Sequence, residues 1–357
     1  MGCTGGWDWA PCLLRGVFTH KLTKQAGEID DIYIFPGSRY TNTFNANSGA
    51  LTFTSGIWKS VYAVEVDAFA ITHMVPTTFY RGPDPVVPLA DDGKHHGFRV
   101  AVKLFVQRQA AGKATVTVAG GWGATKRSEV KLAAGENVVL VDLIATAAQV
   151  RLWWPNGAGQ QPLYNVSASI GITDQSDFRA TTTGTAVRRI GFRTFALVTG
   201  GGTPPGEQGT LTNGMYFRVN GVAVFSKGAN MIPMEELEGR MRADAHQTLI
   251  ESAADGGMNT VRVWGGGIFL PRAWFDACDE FGIMVYHDMM YPGHKEHAPA
   301  STTDQQLEVR HNVRRLAHHP SIVIWDGENS DDGGRAAGLL AVGTQAIYRC
   351  LCFPGHF

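Results

Sequence analysis

The sequence has almost no net charge and few charged residues of either sign. Among its 357 residues, 31 Lys and Arg stand against 32 Asp and Glu, which gives a formal net charge of -1, and charged residues make up only 18%. A protein that binds nucleic acid through the phosphates needs a surplus of cations, so no nucleic-acid partner is expected. The 44% of hydrophobic residues is too high for a disordered chain and predicts a sizeable buried core.

Long apolar runs, cysteine motifs and phosphate-binding loops are also missing. No stretch reaches the roughly 18 uninterrupted apolar residues of a membrane span, so no membrane partner is expected. The five cysteines are odd in number and show no CxxC spacing, which indicates neither a disulfide framework nor a zinc site and leaves the localisation open. The run Gly265-Gly266-Gly267 is not a GxGxxG motif, so no nucleotide cofactor is expected.

The first two hundred residues have the pattern of short antiparallel strands. Apolar residues recur at every second position in Phe98 to Val106 and again in Tyr164 to Ile170. Gly-rich turns such as Asn156 to Gly159 separate these runs, as is typical of a β-sandwich. A Gly- and Pro-rich stretch at Thr199 to Thr210 is predicted to be a linker.

After this linker the pattern changes to alternating strands and helices. Four short apolar runs, at Val224-Phe225, Val261 to Trp264, Ile283 to Tyr286 and Ile322 to Trp325, are predicted strands. Between them, helices are predicted at Arg242 to Ala254, from Pro271 to Gly282 and at Thr303 to His318. Repeated strand and helix units favour a parallel sheet, either an open one or, in the absence of a nucleotide loop, a (βα)8 barrel.

In a barrel of this kind, functional groups lie where the strands end. The predicted strand ends carry guanidinium, indole, amide and carboxyl groups, which suit a sugar because polar groups bind hydroxyls and an indole covers the apolar ring face. They are Asn230, Arg262, Trp264, His287, Asp288, Asp326, Glu328 and Asn329. A purely structural interpretation remains open, in which Arg262 pairs with Asp288 and Trp264 fills the mouth of the barrel.

Several motifs resemble those of family 2 glycoside hydrolases, and most closely the branch of β-mannosidases and exo-β-glucosaminidases. The barrel motifs are Gly221 to Asn230, Arg262 to Gly267 and His319 to Trp325, and the motifs of an immunoglobulin-like domain are Trp153 to Gly157, Gln161 to Tyr164 and Gly191 to Thr194. Gly6 to Pro11 and Ser55 to Trp58 resemble the last part of that family's N-terminal jelly roll. The motifs follow the family order and span almost the whole chain.

The resemblance implies a multidomain all-β plus α/β fold. Residues 1–65 would be the end of a galactose-binding-like jelly roll, residues 66–198 an immunoglobulin-like β-sandwich, and residues 199–357 the N-terminal half of a (β/α)8 TIM barrel. It also implies an exo-acting retaining β-glycosidase that acts on a β-linked mannoside or a related glycoside through a covalent intermediate. Trp7, Asp8, Arg262, Trp264, Asp288 and Asn329 would bind the substrate.

The catalytic positions depart from the family pattern. The family places its acid/base Glu after an Asn at the end of the fourth strand, but here Asn329 is followed by Ser330. Glu328 would point the same way along a continuing strand and is the candidate substitute. The nucleophile belongs to a later strand than any found before Phe357, so we expect a truncated product with weak activity or none.

Two other possibilities stay open at this stage. A non-catalytic carbohydrate-binding or interaction protein would keep the sandwich and the rim aromatics without the chemistry. A metal-dependent hydrolase would use the loosely spaced His287, His294 and His297, although we expect His287 to be a packed side chain and the protein to hold no metal and no other cofactor. A half barrel exposes strand edges and an apolar interior, which predicts self-association.

Overall fold

The computed structural model describes residues 69–172, 184–199, 215–234, 242–265, 267–290, 303–327 and 341–342. The predicted jelly-roll remnant at residues 1–65 lies outside these ranges, and so does the predicted linker after Thr199.

Seven strands form two antiparallel sheets that pack over one apolar core. They are β1 (Phe69–Tyr80), β2 (Phe98–Arg108), β3 (Gly112–Gly120), β4 (Thr125–Leu132), β5 (Gly135–Ala145), β6 (Tyr164–Ile172) and β7 (Gly184–Ile190). One sheet has the order β1-β2-β5 and the other β4-β3-β6-β7. Inward-facing residues of both sheets, such as Val102 and Ile170, belong to the same buried cluster. We refer to this unit as the sandwich.

The period-two pattern in β2 is confirmed on the inner face, where Phe98 to Val106 are fully buried at every second position. On the outer face, Lys103 and Phe105 are also buried. The physical reason is that β2 is the central strand of its sheet and a helix of the second half of the chain packs against that sheet, with the Arg314 guanidinium 3.7 Å from the centre of the Phe105 ring.

A small antiparallel sheet of order β10-β9-β8 follows, made of β8 (Phe195–Thr199), β9 (Met215–Val219) and β10 (Val222–Val224). The prediction that Val224 begins the parallel units is therefore wrong. Asn220 and Gly221 both have positive φ, 49° and 82°, and connect β9 to β10 as a tight hairpin. Asn-Gly between two apolar runs is the signal that predicts such a turn.

The second half of the chain contains a five-stranded sheet of order β11-β12-β13-β14-β15. Its strands are β11 (Gly228–Met231), β12 (Thr260–Val263), β13 (Met284–Asp288), β14 (Ile322–Asp326) and β15 (Ala341–Val342). The first four are parallel, as predicted, and β15 pairs antiparallel with β14. β15 pairs with Ile324 and Trp325 only, so it covers part of the β14 edge.

Three helices connect the parallel strands: α1 (Ala243–Asp255), α2 (Arg272–Phe281) and α3 (Thr303–Leu316). Their apolar side chains pack against one face of the sheet, in a cluster that includes Val263, Trp274 and Trp325. Gly282 ends α2 in the left-handed conformation at φ 73°, as the sequence predicted for a terminal glycine. Within the ranges given above, no helix is both long and apolar enough to cross a lipid bilayer.

Hydrogen bonds join the sandwich end of the chain to the parallel sheet. The Trp153 indole donates to the Asp279 carbonyl at 2.8 Å, and the Asn156 amide donates to the Ala254 carbonyl at the end of α1 at 2.8 Å. The buried Arg193 guanidinium donates to the carbonyls of Pro320 and Ile322 at 2.5 and 2.7 Å. These bonds fix the two units against each other and hold the start of β14.

Candidate functional site

The C-terminal ends of β11 to β14 lie at one edge of the parallel sheet, and polar residues occupy them. Asn230 is paired with Arg262 in the register, Arg262 with Tyr286, and Asp288 with Asp326. Because side chains alternate along a strand, these residues share the face opposite the helices. We call Arg262, Tyr286, Asp288 and Asp326 the rim cluster.

Arg262 and Asp288 form the central ion pair of the rim cluster. The Arg262 Nε and Nη2 atoms donate to the two carboxylate oxygens of Asp288 at 3.1 and 2.6 Å, and the Gly265 N–H donates to the same carboxylate at 3.0 Å. Such a two-pronged contact fixes the plane of the guanidinium. Asp288 is fully buried, whereas the Arg262 side chain is 28% exposed, so the cation faces the open side of the sheet.

The Asp288 carboxyl is a weaker acid than an exposed aspartate, although it is paired with Arg262. Burial raises the pKa of the Asp288 carboxyl to about 7, against the opposing effect of Arg262 and the Gly265 N–H, and Asp326 raises it further. An acid with a pKa near neutrality exchanges a proton easily at physiological pH, which is a common property of functional sites.

Tyr286 and Asp326 form the second half of the rim cluster. The Tyr286 hydroxyl donates to the Asp326 carboxylate, and the Arg262 guanidinium lies 5.6 Å from the centre of the Tyr286 ring. Burial and the bond to Asp326 raise the pKa of Tyr286 well above its usual value, so the phenol stays protonated. Sequence reasoning missed Tyr286, although its position two residues before Asp288 on a strand places both side chains on one face.

The other predicted site residues are placed as follows. Trp264 follows β12 and is only 7% exposed, and Asn230 is exposed at the end of β11. His287 is fully buried on the helix side, stacked on the rings of Phe269 and Phe275. Outside the described residues lie Trp7, Asp8, Glu328, Asn329 and Ser330, as well as His294 and His297.

A second group of polar residues lies below the rim, between α2 and the start of β14. Asp276, Asp279 and His319 present atoms within 4.8 Å of one another that could in principle hold a metal ion. They already have partners in the chain, because Asp279 accepts bonds from His319 Nδ1 and Ser321 Oγ, both at 2.6 Å, and Asp276 pairs with Arg189 at 3.3 Å. The group therefore works as a structural network.

Comparison with known proteins relates this arrangement to enzymes that cleave glycosides. A model of the family described as "Glycosyl hydrolases family 2" matches residues 86–193. A β-D-mannosidase structure from Dictyoglomus thermophilum superposes with a TM-score of 0.56 at 25% identity, covering 72% of this chain and 29% of that one. An exo-chitosanase structure from Amycolatopsis orientalis, at 19% identity and a TM-score of 0.53, shares the fold over 72% of this chain and 28% of that one.

The most informative sequence relatives are β-mannosidases. The β-mannosidase of Mus musculus is 30% identical over 285 residues, which cover 78% of this chain and 30% of the mouse protein. β-Mannosidase B of Emericella nidulans is 30% identical over 289 residues, which cover 79% of this chain and 31% of the fungal protein. This chain thus spans about a third of the length of these relatives.

The family match over the sandwich and the shared fold define the class: the chain belongs to glycosyl hydrolase family 2. Within that family, its relatives assign it to the β-mannosidase branch.

Proposed function

We propose that this chain is part of an exo-acting retaining β-glycosidase of the β-mannosidase type, and that the rim cluster binds the terminal sugar of the substrate. The observation that carries the proposal is the convergence of Arg262, Tyr286, Asp288 and Asp326 on one face at the ends of neighbouring parallel strands. The substrate would be a β-linked mannoside or a related glycoside, since the relatives are named β-mannosidases.

The proposed architecture follows the family. The sandwich would be the immunoglobulin-like domain of residues 66–198, and strands β11 to β14 with their helices would be the first half of a (β/α)8 barrel at residues 199–357. Two antiparallel sheets over one core support the first assignment, and helices between successive parallel strands support the second. In this proposal, residues 1–65 would be the end of a jelly roll that brings Trp7 and Asp8 to the sugar.

The rim cluster has the chemistry that sugar binding needs. Carboxylate oxygens of Asp326 and Asp288 accept hydrogen bonds from hydroxyl groups, while the guanidinium of Arg262 donates to hydroxyl oxygens. The bidentate pair with Asp288 fixes Arg262 in one orientation before a ligand arrives, which reduces the entropy lost on binding. Trp264 and Asn329 would complete the binding site next to these residues.

Proton transfer is the weak step of the proposed mechanism. Ser330 stands where the family has the acid/base Glu, and a hydroxyl at its ordinary pKa does not protonate a leaving group, so the rate should fall by about 10² to 10⁴. Glu328 would be the substitute donor. Ser330 also favours a second candidate function, a carbohydrate-binding protein in which the rim cluster binds a sugar and no bond is cleaved.

One set of measurements tests both candidates. We expect the full-length chain to bind methyl β-mannoside in a calorimetric titration, and Arg262→Lys to weaken this binding at least about tenfold because the two-pronged contact is lost. Arg272→Lys, in the exposed ion pair with Asp276, is the matched control and should bind as the wild type does. Equal binding by the Arg262→Lys variant, or no binding by the wild type, would contradict the proposal.

Hydrolysis then separates the enzyme from the binding protein. A retaining reaction also needs a carboxylate nucleophile. Where one is present, Ser330→Glu should raise the hydrolysis of methyl β-mannoside, whose alkoxide leaving group needs a proton, by about 10² to 10⁴. A slow wild-type reaction that Glu328→Gln abolishes would identify Glu328 as the donor. Binding without hydrolysis in both the wild type and the Ser330→Glu variant would instead support the carbohydrate-binding protein.

A further inference from the structure

Two histidines from distant parts of the chain meet where the sandwich packs against α3. The Nε2 atom of His73, on β1, lies 3.3 Å from the Nδ1 atom of His311, on α3. The contact joins residues that are 238 positions apart in the sequence. This pair belongs to the helix side of the parallel sheet, away from the rim cluster.

A β-bulge in β1 turns His73 toward α3. Between Ile71 and His73 the register with β2 shifts by one residue, so that Thr72 is the extra residue and His73 stands opposite Phe105. The Thr72 hydroxyl donates to the Phe105 carbonyl at 3.2 Å, which holds the bulge in place. Bulges often redirect a side chain next to a functional site.

The distance between the two nitrogens equals the spacing of two ligands on one metal ion. Imidazole nitrogens bind zinc at about 2.0–2.1 Å with tetrahedral angles, which places two such nitrogens about 3.3 Å apart. Both imidazoles are ordinary ligands for late transition metals, and His311 is exposed, so an ion can reach the pair from solvent.

The charges around the pair are net positive, since three arginines lie near one glutamate, and a bound cation must overcome this potential. Arg314 lies beside His73 and opposes a cation, but it is paired with Glu136 at 3.1 Å, whose carboxylate favours one. Arg188 and Arg315 add positive potential from β7 and α3.

We propose that His73 and His311 form a two-histidine site for a divalent transition-metal ion, best filled by Zn²⁺ with water as the remaining ligands. The bound ion would tie β1 of the sandwich to α3 of the parallel-strand unit. Without an ion, the two rings share one hydrogen between the facing nitrogens, which accounts for the same distance.

Zinc titration of the chelator-treated full-length chain tests the site. We expect Zn²⁺ to raise the Tm of the wild type in a concentration-dependent way, and His311→Gln and His73→Gln each to weaken Zn²⁺ binding about tenfold or more in calorimetry. His96→Gln, which changes an exposed histidine elsewhere in the sandwich, is the matched control and should bind like the wild type.

His311→Gln is the decisive variant, because an exposed side chain on a helix can be replaced without disturbing the core. Its circular dichroism and its Tm without zinc should match those of the wild type. Zinc binding that is unchanged in this variant, or a wild-type Tm that does not respond to zinc, would overturn the proposal and leave a hydrogen-bonded histidine pair.

Discussion

Along each strand of the parallel sheet, successive side chains point alternately to the side of the rim cluster and to the side of the helices. His287 and Asp288 are neighbours in sequence, yet Asp288 belongs to the rim cluster and His287 is enclosed by Phe269, Phe275 and Trp325. The sequence allowed the prediction that His287 packs in the core. The pairing of Tyr286 with Asp326 was not foreseen, because it depends on the order of strands in the sheet.

The buried His287 should make the folded state sensitive to acid. Burial lowers the pKa of His287 from 6.5 to about 3, so between these values the unfolded chain binds a proton that the folded chain does not. Stability is therefore retained above about pH 6.5 and lost as the pH falls, by about 2 kcal/mol at pH 5. His287→Phe, which puts an apolar ring among aromatic neighbours, should remove this loss.

Urea unfolding of the wild type and the His287→Phe variant from pH 8 to pH 5 measures the difference. His318 is also buried with a lowered pKa and is retained in both proteins, so some acid sensitivity should remain in the variant. Stability curves that stay parallel over the whole range would show that His287 does not titrate between the two states.

At the level of helices and strands, the sequence predicted an element correctly where a local pattern, such as an apolar period or a terminal glycine, determines the conformation. The period of two in β2, the terminal glycine of α2 and the apolar runs of β12 to β14 all predicted the observed elements. The burial of β2 on both faces was not predictable, because one face is covered by α3, from the other half of the chain.

The C-terminal end of α2 packs closely against the segment around Asn156. A Cβ atom at Gly282 would lie 2.6 Å from the Asn156 nitrogen and 2.9 Å from Gln161 Nε2, and its φ of 73° disfavours any other residue. Gly257, after α1, has a similar φ of 80° but open space around its Cα. The two glycines thus differ in packing and share the same backbone requirement.

We expect Gly257→Ala to cost about 1 kcal/mol, from backbone conformation alone. Gly282→Ala should cost about 1–3 kcal/mol more, because the methyl group overlaps the segment that begins at Pro155. Chemical denaturation of both variants beside the wild type checks the difference. Equal losses would mean that the Asn156 segment moves aside freely and does not fix the end of α2.

For the molecule as a whole, the order of motifs predicted the family. It did not predict which edge strands of the parallel sheet pair with another strand. The β14 edge pairs with β15, whereas among the described residues no strand pairs with the other side of β11. An unpaired edge offers a row of backbone donors and acceptors to another chain. Whether a strand edge is covered depends on distant segments, which local patterns do not reveal.

The open side of β11 leads us to expect that the isolated chain self-associates. Light scattering on the purified protein, over a range of concentrations, should give a mass above 38.6 kDa that increases with concentration. Moderate urea, below the unfolding transition, should reverse weak association. A single monomeric mass at every concentration would count against an accessible edge.

The Arg193 side chain has a consequence for how this protein can be divided or recombined. Its guanidinium donates hydrogen bonds to the carbonyl groups of Pro320 and Ile322 in the parallel-strand unit. Burial lowers the pKa of Arg193 to about 10, and the side chain remains a cation. A gene that kept the sandwich and replaced its neighbour would leave that cation without acceptors in an apolar interior. The two units are therefore expected to be inherited together, and the junction between them is a poor place to exchange modules.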